Sequence, residues 1–130
     1  MKKIYITLLI GVVLSFASIN GAIAQSDKYF KYPDNSENEF ENADKFYEEL
    51  TEDQYKEFKN AKINIREKVA FEDVNKVLSE VDEYGETRFI GEGIHPKRQM
   101  YVFVSISEND KKWICTFDAE KKIKMNQVKN

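Results

Sequence analysis

The side chains with the widest chemistry are scarce: one histidine, His95, and one cysteine, Cys115, among 130 residues. His95 stands between Ile94 and Pro96 in a segment that reads as a turn. A general base or a metal ligand needs a positioned partner, and Glu92 and Lys97 are the only near candidates. Cys115 has no second cysteine to bridge to, and no CxxC spacing marks a redox centre. It reads as a buried thiol acting as a small hydrophobe, with a reactive or dimer-forming thiol as the alternative.

Carboxylates are plentiful but badly spaced for metal work. Glu48-Glu49, Glu52-Asp53 and Asp82-Glu83 are adjacent pairs, and no loop alternates oxygen ligands around a glycine as a calcium loop does. A solvated helix face accounts for them, so no metal, no cofactor and no catalytic set is assigned. Pro96-Lys97-Arg98, Lys111-Lys112 and Lys121-Lys122-Lys124 make basic spots near Tyr101, Phe103 and Trp113. Stacking rings beside cations suit nucleic acid, but export and a net charge of −5 without residues 1–24 argue against it. Lysines at turns and strand ends also guard edges against pairing with other chains. Nucleic acid is therefore not an expected partner.

Two aromatic groupings remain as candidate sites. Tyr101 and Phe103, with Arg98 and Lys112, form a candidate binding surface. Tyr47, Tyr84 and Trp113 form a candidate pocket. An aromatic core explains the same residues without any ligand.

The elements that must position these residues start after a processing signal. Met1-Lys2-Lys3 is positive, Ile4 to Phe16 is almost wholly apolar, and Ala22-Ile23-Ala24 supplies small residues at the positions a signal peptidase reads. Residues 1–24 are thus expected to be a secretory signal cleaved between Ala24 and Gln25. The product is secreted or periplasmic, with no integral membrane association after cleavage. Its loss removes Lys2 and Lys3 and no acid, moving the net charge from −3 to −5. The remaining charge is polarised. Residues 34–86 carry 17 acids against 7 bases, and residues 87–130 carry 9 bases against 5 acids.

Residues 25–35 read as an extended lead-in that Tyr29, Phe30 and Tyr32 can pin down, and residues 36–130 as a single α+β domain. Ser36 with Glu39 has the spacing of a capping box, and Phe40, Ala43, Phe46, Tyr47 and Leu50 then recur at helical intervals. Thr51 with Gln54 repeats the capping pattern and predicts a second helix with Tyr55, Phe58 and Ala61 inward. Ile63 to Val69 fits either a turn between helices or a piece of one. Phe71, Val74, Val77, Leu78 and Val81 make the clearest helical stripe, with Gly85 as its stop. The helical half is 36–85.

From Thr87 the period becomes two. Strands are predicted over Thr87 to Ile94, Gln99 to Ser107, Lys112 to Asp118 and Ile123 to Gln127, filling 87–128. Helices followed by a meander predict N-terminal helices laid on one face of a curved antiparallel sheet of three to four strands.

Residues 43–55, Ala-Asp-Lys-Phe-Tyr-Glu-Glu-Leu-Thr-Glu-Asp-Gln-Tyr, resemble the first helix and turn of small exported bacterial proteins with a cystatin-like or ketosteroid-isomerase-like cone fold. Phe71 to Gly85 is similar to their next helix, and Trp113 to Ile123 to their late hairpin. That class includes isomerases and dehydratases with a pocket inside the cone, and many secreted modules without assigned activity. The enzymes place an acid and a Tyr or His in the cavity, and no such set is matched here residue by residue. Three functions follow as expectations: an exported, non-catalytic module that binds another protein; an inhibitor or immunity protein against an exported enzyme or toxin; and a small-ligand carrier or pocket enzyme on a cone scaffold.

Overall fold

The structure is a computed structural model that describes residues 27–29, 31–82 and 87–130. The proposed signal peptide and Gly85 lie outside the described residues. After a single 3-10 turn at Asp27–Tyr29 the chain forms α1 (Ala43–Glu49), β1 (Ala61–Ala70), α2 (Phe71–Ser79), β2 (Gln99–Ser107), β3 (Lys112–Asp118) and β4 (Lys124–Lys129). The four strands make one antiparallel sheet in the order β1-β2-β3-β4. This is an α+β fold.

α1 starts later than the capping box at Ser36 predicts. Its cap is Asn42, whose side chain accepts the Lys45 N–H at 2.8 Å. Ser36 instead donates its N–H to the Asp34 carboxylate at 2.8 Å, a local turn that competes with helix. The lead-in around it is tied to β2. The Asn35 side chain accepts the Gln99 N–H, and the Gln99 amide donates to the carbonyls of Asn35 and Asn38, all at 2.8 Å.

The helix predicted at Thr51 is a single turn. The Gln54 side chain does accept the Thr51 N–H at 2.9 Å, and the Gln54 and Tyr55 N–H groups reach the Thr51 carbonyl. One turn does not propagate without an apolar face to bury. The chain leaves it at Phe58, whose N–H donates to the Ser105 hydroxyl at 3.0 Å, and enters β1. Ile63 to Val69 is therefore strand, neither turn nor helix. Ile63, Ile65 and Val69 share a face at period two and lie opposite Ile106, Val104 and Met100.

α2 follows β1 directly. Ala70 caps it without a side-chain bond, and the Phe71 and Glu72 N–H groups donate to the carbonyls of Arg98 and Pro96 at 2.7 and 3.0 Å. The free donors of the first turn are thus met by the chain entering β2. The strand predicted over Thr87 to Ile94 does not form. Asn75 of α2 holds the Phe89 backbone with both ends of its amide, and Ile94 makes only an isolated bridge to Tyr32.

β2 and β3 have the predicted bounds. β4 is displaced to Lys124–Lys129, because Lys122 turns the chain at φ +57° and the ladder shifts register between Thr116 and Phe117. The helices lie on opposite faces of the sheet, a correction to the single-face layout. Val74, Val77 and Leu78 of α2 pack on Met100, Val102, Val104, Ile106 and Ile114. Ala43 and Phe46 of α1 pack on Tyr101, Phe103, Trp113, Cys115 and Phe117. Every residue of Met100–Ser107 and of Trp113–Asp118 is buried. A near-continuous run of strand formers such as Met-Tyr-Val-Phe-Val-Ser-Ile is what burial on both faces requires.

Candidate binding surfaces

The aromatic side of the sheet is closed by its own rings. Phe46 stacks on Tyr101 with centroids 4.2 Å apart, Tyr55 stacks on Phe103 at 5.3 Å, and Trp113 meets Tyr55 edge-on at 5.3 Å. Phe117 meets Phe46 edge-on at 5.4 Å. The Tyr101 hydroxyl donates to the Glu41 carbonyl at 2.7 Å, and burial pushes its pKa up to about 12. Tyr55 is buried with a hydroxyl that finds no partner among the described residues, and burial raises its pKa well above the usual phenol value. Cys115 lies under the Gln127 side chain, fully buried, and burial pushes its thiol up to about 11. A thiol held protonated and covered is the inert case.

The candidate surface of Tyr101, Phe103, Arg98 and Lys112 therefore does not stand as a surface. Tyr101, Phe103 and Arg98 have no exposed area, and Lys112 is half-buried. Both faces of β2 are covered, so the side opposite the aliphatic stripe is a second core. Arg98 forms a two-pronged ion pair with the equally buried Asp118, Nε to Oδ1 at 2.7 Å and Nη2 to Oδ2 at 2.8 Å. It also donates to the Pro33 carbonyl at 3.1 Å. Its pKa is raised chiefly by the Asp118 hydrogen bonds. Asp118 in turn accepts the Lys121 N–H at 2.8 Å and shapes the turn into β4.

Of the candidate pocket, Tyr84 lies outside the described residues. Tyr47 and Trp113 sit on either side of Tyr55, with centroid distances of 6.0 and 5.3 Å. They enclose packed ring. A shallow, open groove of about 280 Å³ beside them is lined by Tyr47, Glu48, Leu50, Glu52, Tyr55 and Lys56. His95 meets Tyr29 edge-on at 4.8 Å, and its Nδ1 accepts the Lys97 N–H at 3.1 Å. It buttresses the lead-in. Among the described residues no three His, Cys, Asp or Glu side chains gather to hold a metal ion. No helix among them is long and apolar enough to cross a membrane.

With the faces covered, the rim of the sheet offers the groups a ligand can reach. At one rim Arg66 of β1 pairs with Glu57 through two bonds of 2.8 and 2.6 Å, reaches Asp44 at 3.3 Å, and lies 3.8 Å above the Tyr47 ring. Lys62 pairs with Asp110. At the other rim Lys129 of β4 lies 3.6 Å above the Trp113 ring and Lys124 lies 5.9 Å from Phe117. At the α2 end, Ile90 is 87% exposed between the buried Phe89 and Ile94. The chain finds no match among protein-family models, curated proteins or solved structures.

Nothing local in the sequence singles out Ile90, which falls inside the segment Thr87 to Ile94 that reads as a strand. Only the Asn75 clamp, which replaces a strand neighbour, turns it outward. Lys121, Lys122 and Lys124 were legible as edge guards, but Lys122 is held between Glu41 and Glu49 at 3.3 and 3.4 Å, leaving the others with different surroundings.

Proposed function

We propose that this chain is an exported binding module that grips another protein with the rim of its sheet, chiefly through the loop around Ile90. Export rests on the composition of residues 1–24. The observation that carries the binding reading is the fixed presentation of an apolar side chain. Asn75 accepts the Phe89 N–H at 2.7 Å and donates to the Phe89 carbonyl at 3.0 Å. Phe71 meets Phe89 edge-on at 5.5 Å. A Cβ on Gly91 would come within 2.5 Å of the Ile94 Cδ1, so the loop is packed down on both sides of Ile90. An isolated exposed isoleucine means little. One whose backbone is already immobilised loses little further entropy on docking, which favours use as an anchor.

The same stiff loop supports a narrower second reading, an inhibitor or immunity protein that seats Ile90 in the cleft of an exported enzyme or toxin. The carrier or pocket-enzyme reading draws no support from the aromatic side, whose rings fill their own space. The cone resemblance stays in the proposal for the meander alone, because the helices lie on both faces.

A photo-crosslinking residue at position 90, expressed in the source cells, tests the proposal. A dominant crosslinked protein is expected that is absent from the same experiment at exposed Lys59, and an affinity pull-down with Ile90→Asp, at unchanged thermal stability, should no longer recover that protein. Equal, diffuse crosslinking from both positions would refute the loop as anchor.

A further inference from the structure

We propose that the free edge of β4 accepts an extended peptide of a partner protein as a fifth strand, one that alternates acidic and apolar residues. β4 is the last strand of the sheet and pairs only with β3 among the described residues. Its outer backbone groups are therefore available to a strand ladder, the binding mode in which main-chain bonds supply affinity and alternate side chains supply choice.

The choice is written on the two sides of β4. Lys124, Gln127 and Lys129 lie opposite Phe117, Cys115 and Trp113 and so share the aromatic side. Gln127 Oε1 accepts the Lys124 ammonium at 2.7 Å and the Trp113 indole N–H at 3.1 Å, so the head of Lys124 is held along the edge. The Lys129 ammonium rests on the Trp113 ring. Residues 124–129, Lys-Met-Asn-Gln-Val-Lys, contain no acid, and among the described residues no carboxylate forms an ion pair with either lysine. Asp53 feels the charge of Lys124 without pairing to it. On the aliphatic side Val128 and, at the register shift, Met125 are half-buried against the core and end at the rim, with Asn126 between them opposite Thr116. An incoming strand with acids toward Lys124 and Lys129 and apolar residues toward Met125 and Val128 completes both sides.

A second copy is the poorer occupant. Two β4 edges aligned antiparallel over their full length set Lys124 opposite Lys129 twice, and like charges directly opposite destabilise a pair. The β1 edge does not offer the same chemistry, since Arg66 and Lys62 are already committed to Glu57, Asp44 and Asp110. The β4 site is separate from the Ile90 loop and does not depend on it.

The test is a titration of the folded chain with a short synthetic peptide alternating glutamate and valine. It is expected to bind roughly tenfold more tightly than a lysine–valine peptide, as two weak ion pairs allow. N-methylating alternate amides should abolish binding in one phase and spare it in the other, because only one set of N–H groups faces β4. Lys124→Glu with Lys129→Glu should reverse the peptide preference, and Ile90→Asp should leave it unchanged. Equal binding of both N-methylated peptides would mean charge attraction without strand addition and would overturn the proposal. So would indifference to peptide charge, or a concentration-dependent dimer that the peptide does not compete away.

Discussion

β1 and β4 both end the sheet, and they treat their exposed edges with different chemistry. On β1 the cations are consumed: Arg66 is forked onto Glu57, reaches Asp44 and covers Tyr47, and Lys62 takes Asp110. On β4 the cations are displayed, with Lys124 and Lys129 resting near aromatic rings and forming no ion pair among the described residues. An edge needs some device against unplanned pairing. A neutralised edge fastens α1 and the 50–60 loop to the sheet, whereas a charged edge repels its own kind and selects for opposite charge. Charge on one edge therefore belongs to stability, and on the other to recognition.

The largest expected effect lies where β3 turns into β4. Asp118→Ala takes from the fully buried Arg98 its two-pronged partner, leaving only the longer, half-exposed Glu120 contact at 3.7 Å, and removes an acceptor from the turn that launches β4. The expected loss is about 3–5 kcal/mol, measured by denaturant unfolding. A loss below about 1 kcal/mol would mean that the pair does not hold the strand in place.

Next comes the direct contrast of the edges. Arg66→Ala leaves Glu57 half-covered without its cation and should cost about 2 kcal/mol, a shift of several degrees in Tm. Lys129→Ala gives up only its rest on Trp113 and should cost about 0.5–1 kcal/mol. Equal losses at the two positions would erase the distinction.

The smallest effect is alkaline. Cys115, pushed up to about 11, and Tyr101, pushed up to about 12, keep their protons in the fold after the unfolded chain has lost them. That favours unfolding, so the stability they add is complete below about pH 9 and declines as pH rises through their folded values. Cys115→Ala should flatten the first part of that decline in a pH series of unfolding curves. An unchanged slope would contradict the burial of the thiol.

How much of this was legible depends on whether the deciding contact was near in sequence. Gln99–Ser107 and Lys112–Asp118 carry their own strand pattern and meet across a short turn, so their bounds were readable. The stripe Val74, Val77 and Leu78 was readable because a helix writes its buried face into local spacing. β1 was not, because Ile63, Ile65 and Val69 are interrupted by Arg66, Glu67 and Lys68, and their partners on β2 come after the whole of α2. The pattern at Ser36 gives way to the local bond with Asp34 and to the ties of Gln99 on Asn35 and Asn38, and the Thr51 cap forms but its turn ends where Phe58 meets Ser105, far along the chain. The candidate surface failed for a related reason: an alternating strand does not say whether its second face meets water or α1. Ile90 and the β4 edge share the cause, since exposure is set by Asn75 in one case and, in the other, by β4 pairing only with β3 among the described residues.

Hydrogen exchange of the backbone amides, with and without the glutamate–valine peptide, tests the difference between the edges most directly. Added protection is predicted within residues 124–129, with residues 61–70 unchanged. Protection shared by both edges, or gained on β1 alone, would contradict it.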